Sequence, residues 1–187
     1  MNNQLAPGQP GIPARWTSSA KSGVGTATSG QSRLWFTISH GIVNEVYYPR
    51  IDQANTRDLG FLVADGADFF SEEKRDTTNE ITLLDHGVPG YRLTNTCKGG
   101  RYRILKTIVS DPIQDALLQQ VKFEPLQGEL TDYGLYVLLS PHLNNGGNTN
   151  TAWAGDHKGV PMLFAQRDGT VLALACSSPF KNMSVGY

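Results

Sequence analysis

Between Tyr47 and Asp58 the sequence YYPRIDQANTRD sets two tyrosines, two arginines and two aspartates close together. Arginine offers a planar fork that grips carboxylates and polar rims. An exposed aromatic ring beside Asp, Asn and Arg suits a sugar, because the ring takes its apolar face and the polar groups take its hydroxyls. Pro49 cannot donate to a β-ladder, so a strand before it stops there or lies at a sheet edge. The residues from Pro49 to Asp58 then read as a surface loop, longer than the usual connection of about 4–6 residues. In that loop Arg57 and Asp58 are expected to brace the chain internally, while Arg50 and Asp52 reach outward. Tyr48 completes the candidate set. Adjacent residues of a strand face opposite ways, so one of Tyr47 and Tyr48 belongs to the core on this reading. A solvated loop with core packing is the alternative. Trp153, after an Asn-rich segment, is a second aromatic that could meet a sugar.

Other chemistries fare worse. An inverting glycosidase needs two carboxylates roughly 6.5–9.5 Å apart across the sugar. Glu72 and Glu73 are adjacent and would point to opposite faces of a strand. Glu45 and Asp52 read first as salt-link partners of Arg50 or Arg57. No catalytic residue is assigned. His40, His86, His142 and His157 are scattered, without H-E-x-x-H or a His/Cys spacing suited to zinc, and His40 reads as a turn residue. Asp65 and Asp68 lack the ligand spacing of a calcium loop. No metal site and no cofactor are expected. G-x-S-x-G is absent, and Gly23-Val24-Gly25 has Thr28 where a dinucleotide fingerprint needs its third glycine. Cys97 and Cys176 read as two buried free thiols, with a bridge between them as the alternative.

The elements that position these residues are strands. A chain of 187 residues is about one domain long. Its 16 basic and 17 acidic residues give no reason to expect nucleic acid or an anionic membrane as partner. No apolar run approaches the roughly 18 residues of a membrane span. Met1 to Gly11 has neither the basic nor the apolar region of a secretory signal, which favours the cytoplasm unless a signal has been removed. Residues 1–31 read as an extended arm anchored by Trp16. From Ser32 onward the apolar period is two: Leu34, Phe36 and Ile38 share one face, and hairpins follow at Ser39-His40-Gly41, Lys98-Gly99-Gly100 and Asp168-Gly169. Asn144 to Asn150 reads as a loop without packing. Roughly eleven short strands and no helix predict an all-β fold, an antiparallel two-sheet β-sandwich.

HGIVNEVYYPRID, NTRDLGFLVADG, ARWTSSAKSGVGTA (Ala14–Ala27) and SPHLNNGG (Ser140–Gly147) together resemble the N-terminal domain of bacterial glucoamylases and glucodextranases, in glycoside hydrolase family 15. The resemblance runs over nearly the whole chain. It implies a large super-sandwich, read as one domain over residues 1–187 that continues past Tyr187. It also implies that the chemistry lies in a helical (α/α) barrel absent from this chain. The implied parent releases glucose from non-reducing ends of α-glucans by inversion. Here the chain would be a non-catalytic β-domain, with the barrel of the same polypeptide as partner and the α-glucan met through the parent enzyme. Tyr48, Arg50, Asp52, Arg57 and Asp58 then become candidates for the domain interface or the sugar cleft. Uncovered surface and an open sheet edge would favour self-association of the isolated domain. A free-standing carbohydrate-binding or oligomerisation module is the alternative.

Overall fold

The computed structural model describes residues 15–186, which form two compact units: Thr17–Ser140, and residues 15–16 with 141–186. Met1 to Gly11, read above as lacking a secretory signal, and the start of the expected arm lie outside the described residues.

The strands of the larger unit begin with β1 (Gly23–Thr26), followed by the period-two segments β2 (Trp35–Ser39), β3 (Ile42–Tyr47), β4 (Ala54–Ala64) and β5 (Phe70–Glu72). A four-residue helix, α1 (Glu73–Asp76), precedes β6 (Thr77–Asp85), β7 (Val88–Cys97), β8 (Tyr102–Ser110), β9 (Leu117–Pro125) and β10 (Gly134–Pro141). One sheet has the order β1-β2-β3-β4-β10, with β5 on β4; the other has the order β6-β7-β8-β9. Pairing is antiparallel in both.

Alternation explains how the sheets meet. On β8 every second side chain is buried: Tyr102, Ile104, Lys106, Ile108 and Ser110. Phe36, Ile38, Val43 and Leu59 of one sheet pack against Tyr91, Leu93 and Ile108 of the other. Phe61 and Val63 likewise meet Cys97, Tyr102 and Ile104. Full burial of such side chains is worth about 1.5–3 kcal/mol each, which makes these two clusters the main stabilising contacts of the sandwich. The Tyr102 hydroxyl lies 2.6 Å from Ser71 Oγ, so its polar end is satisfied in the core. Burial pushes that phenol up to about 12.

The turn between β2 and β3 is His40-Gly41, with φ of 51° and 75°. Two positive φ values give the hairpin turn whose twist matches the flanking strands. His40 Nδ1 lies 2.6 Å from Ser39 Oγ.

The smaller unit holds β11 (Thr151–His157), β12 (Val160–Arg167) and β13 (Thr170–Leu174), an antiparallel three-stranded sheet. Trp153 stacks on its register partner Phe164 at 5.3 Å.

Several expectations need correction. β1 and β11 were not predicted: glycines erase the alternation of GVGT, and small residues flatten that of TAWAGDH. The charged stretch is not one loop to Asp58, because β4 begins at Ala54. Both cysteines are free, but Cys176 is exposed rather than buried. Neither Tyr47 nor Tyr48 enters the core; both are half-buried.

Candidate functional site

The connection between β3 and β4 is short and closed by its own hydrogen bonds. Tyr48 N–H donates to Gln53 O at 3.0 Å, and Gln53 N–H donates to Arg50 O at 3.1 Å. Asn55 Nδ2 donates to Tyr48 O at 2.6 Å and to Gln53 O at 3.1 Å. At the tip, Arg50 Nε donates to Asp52 Oδ1 at 2.9 Å while Nη2 grips Oδ2, a two-pronged pair with side chains 71% and 61% exposed. The Arg50 guanidinium holds the Asp52 carboxyl below the usual carboxylate range. This pair presents a preformed dipole to solvent.

Tyr48 is anchored from below. Arg33 Nη2 donates to Tyr48 Oη at 2.7 Å, and the guanidinium lies 5.0 Å from the ring centroid. Asp115 holds that arginine, accepting from Arg33 N at 2.6 Å and Nη2 at 3.0 Å. The Arg33 backbone N–H is the main reason the Asp115 carboxyl sits below its ordinary value.

Arg57 and Asp58 lie on β4. Lys74 Nζ of α1 donates to Asp58 Oδ1 and Oδ2 at 3.1 and 3.0 Å, and Thr17 Oγ1 lies 2.9 Å from Oδ1. Arg57 Nε is 3.5 Å from Asp58 Oδ2. Asp58 thus braces β4 against α1. The five candidates form two groups: Tyr48, Arg50 and Asp52 at the loop, and Arg57 with Asp58 on the strand.

The two acids read as salt-link partners, Glu45 and Asp52, both find cations. Asp52 pairs with Arg50 as expected, whereas Glu45 takes Lys21 at 2.6 Å and accepts from Tyr47 Oη at 2.7 Å. Burial, with Glu45 beside it, raises the Tyr47 phenol above its ordinary value.

One polar cluster lies outside the residues that the sequence singles out. Lys106 Nζ lies 2.7 Å from Glu73 Oε1, and both side chains are fully buried. The same ammonium donates to Gly41 O at 2.7 Å, and Asn95 Nδ2 donates to Gly41 O at 2.8 Å and also to Glu73 Oε1. Glu73 Oε2 accepts from Phe61 N at 3.1 Å. The cluster ties the β2–β3 turn, β4, α1, β7 and β8 together inside the core. Loss of hydration lowers the Lys106 ammonium from its ordinary value, and Glu73 works in the opposite direction. The signal was present: the period of YRILKTIVS puts a lysine in an inward slot.

Chemically these groups can bind and brace. Among the described residues no three His, Cys, Asp or Glu side chains are grouped to hold a metal ion. No helix among them is long and apolar enough to cross a membrane.

Comparison with known proteins places this geometry in a wider context. The family described as "Glucodextranase, domain N" matches residues 6–187. A glucoamylase of Clostridium sp. (strain G0005) is 40% identical over 186 residues, covering 100% of this chain and 26% of the relative. A crystal structure of a bacterial glucoamylase complexed with acarbose superposes with a TM-score of 0.96 at 39% identity, covering 100% of this chain and 28% of that one. The chain thus spans about a quarter of the length of the relatives it matches.

Proposed function

The chain belongs to the glucodextranase domain N family, and on that premise we propose that it is the non-catalytic β-domain of a glucoamylase-type glycoside hydrolase. The parent enzyme would release glucose from the non-reducing ends of α-glucans with inversion. Its two catalytic carboxylates would come from a helical barrel of the same polypeptide, and this domain would buttress that barrel. The observation that carries the reading is the contrast in coverage: identity of 40% extends over the whole of this chain but only 26% of the glucoamylase.

Two features support a buttressing role. β10 ends its sheet order, and Leu135, Tyr136 and Leu138 on it are exposed. A strand apolar on both faces suits a place covered on both sides. The exposed Arg50–Asp52 pair offers a fixed polar fork beside Tyr48, suited to a partner domain or to the rim of a sugar cleft.

The test is the reading frame downstream of codon 187. A helix-rich continuation with paired acidic residues is expected. A stop codon would contradict the reading and favour a free-standing carbohydrate-binding module. If the continuation is present, Arg50→Ala or Asp52→Ala in the longer protein should weaken docking or raise KM. If both variants match the unmodified protein in melting temperature and kcat/KM, the loop is only a connection.

A further inference from the structure

The smaller unit contains a cleft of about 280 Å³, walled by Arg15, Trp16, His142, residues 145–148 and Arg167. None of the five candidates discussed above lines it.

Trp16 is 46% exposed, yet its ring is held in place. The His142 ring meets it edge-on, with centroids 5.0 Å apart and planes at 63°. His142 is itself buried, with Nδ1 2.8 Å from Pro141 O and Nε2 3.0 Å from Arg15 O. A large apolar ring presented to solvent on a fixed support is what stacking against a sugar requires.

The facing wall is equally fixed. Asn144, Asn145 and Thr149 adopt φ of 53°, 60° and 60°. Non-glycine residues held in that region cost of order 1–3 kcal/mol each and cluster at binding sites. Fully buried Leu143 anchors the loop; its N–H donates to Asn150 Oδ1 at 3.0 Å, and Asn150 Nδ2 donates to Gly146 O at 2.9 Å. The Arg167 guanidinium lies over Gly146, where a Cβ would stand 1.4 Å from Nη1. Only glycine lets the arginine reach that seat, from which Nη1 donates to Leu143 O at 3.2 Å.

An aromatic face, a seated guanidinium and an Asn/Gly wall form the mixed lining that orients a neutral polyol. At about 280 Å³ the cleft is near the lower end of the roughly 300–1,000 Å³ of small-molecule sites, which fits one or two sugar rings. We propose that this cleft is a saccharide-binding site that takes one or two glucose units of an α-glucan, with Trp16 as stacking platform and Arg167 at its polar rim. The choice of α-glucan rests on the functional reading above; the existence of the site does not.

Titration calorimetry of the 187-residue chain with maltotriose tests it, alongside the indole N–H resonance of Trp16. Saturable binding that shifts the Trp16 resonance is expected, and Trp16→Ala should weaken it at least about tenfold, the equivalent of roughly 1.4 kcal/mol. Trp153→Ala should leave it unchanged. The resonance shift in the unmodified chain reads the site even if Trp16→Ala loosens the unit. Absence of saturable binding, a shift confined to Trp153, or binding of inorganic phosphate instead of maltotriose would overturn the proposal. Cellotriose bound as well as maltotriose would overturn the α-glucan assignment. Failure of the parent reading would show separately, as a downstream stop codon.

Discussion

Lys106 Nζ and Glu73 Oε1 face each other at 2.7 Å in the centre of the sandwich, with no exposure of either side chain. Removing one member of a buried ion pair leaves the other charge uncompensated and costs about 3–5 kcal/mol, whereas replacing both is far milder. Lys106→Met alone should therefore lower unfolding free energy by roughly that range. The double variant Lys106→Met, Glu73→Gln should lose less than the sum of the two single changes. Urea unfolding of the four chains measures this, and additive losses would show that the two groups do not act as a pair.

The same pair sets a pH dependence. Burial holds Lys106 below its ordinary value, near 10.4 in an unfolded chain. Between its folded and unfolded values the native state therefore binds fewer protons than the unfolded state, so its stability rises with pH. The effect ends once pH passes the unfolded value. Relative to the double variant, the unmodified chain should gain stability as pH is raised toward about 10. No relative gain over that window would mean that Glu73 outweighs desolvation.

Gly41 links this cluster to the hairpin turn. Its φ is +75°, and an added Cβ would lie 2.4 Å from Asn95 Oδ1. Gly66 has φ of +77° with nothing within 4 Å. Gly66→Ala should cost only the backbone contribution, about 1–2 kcal/mol. Gly41→Ala should add an overpacking cost of about 1–3 kcal/mol. Equal urea midpoints for the two variants would contradict the tight seat of the turn.

The polar candidates also divide by stability. Asp58→Ala removes the acceptor of Lys74 and Thr17 and should cost about 1.5–3 kcal/mol, the range for hydrogen bonds to charged groups. Asp52→Ala acts at the exposed loop tip, where an ion pair such as that with Arg50 is worth about 0–1 kcal/mol, so in the 187-residue chain the melting temperature should fall far less than for Asp58→Ala. Thermal unfolding of both variants checks the division. A large loss in the Asp52 variant would make the loop tip structural.

These contrasts show where the sequence was readable. Period-two runs such as LWFTI and YRILKTIVS gave β2 and β8, because each buries one face and alternation survives in the residue types. The same alternation, followed strictly, also places Lys106 in the core, because the period holds for any side chain and not for apolar ones alone. The loop is shorter than its composition suggests, because Asn55, Arg57 and Asp58 are loop-like residue types that lie on β4. On β4 Asn55 is instead met by Tyr48 O across the turn, and Asp58 by Lys74 and Thr17, partners that come from tertiary contact. The cleft beside Trp16 was less legible still. Its far wall has the composition of an unpacked Asn/Gly loop, and what fixes it is the burial of Leu143 and the reach of Arg167 from β12.

Glucose release tests the central claim most directly. The 187-residue chain, purified beside a mock preparation, should release no glucose from maltose or soluble starch, while the longer polypeptide proposed to carry it should release glucose from both. Glucose formed by the isolated chain above the mock level would contradict the assignment of a non-catalytic β-domain.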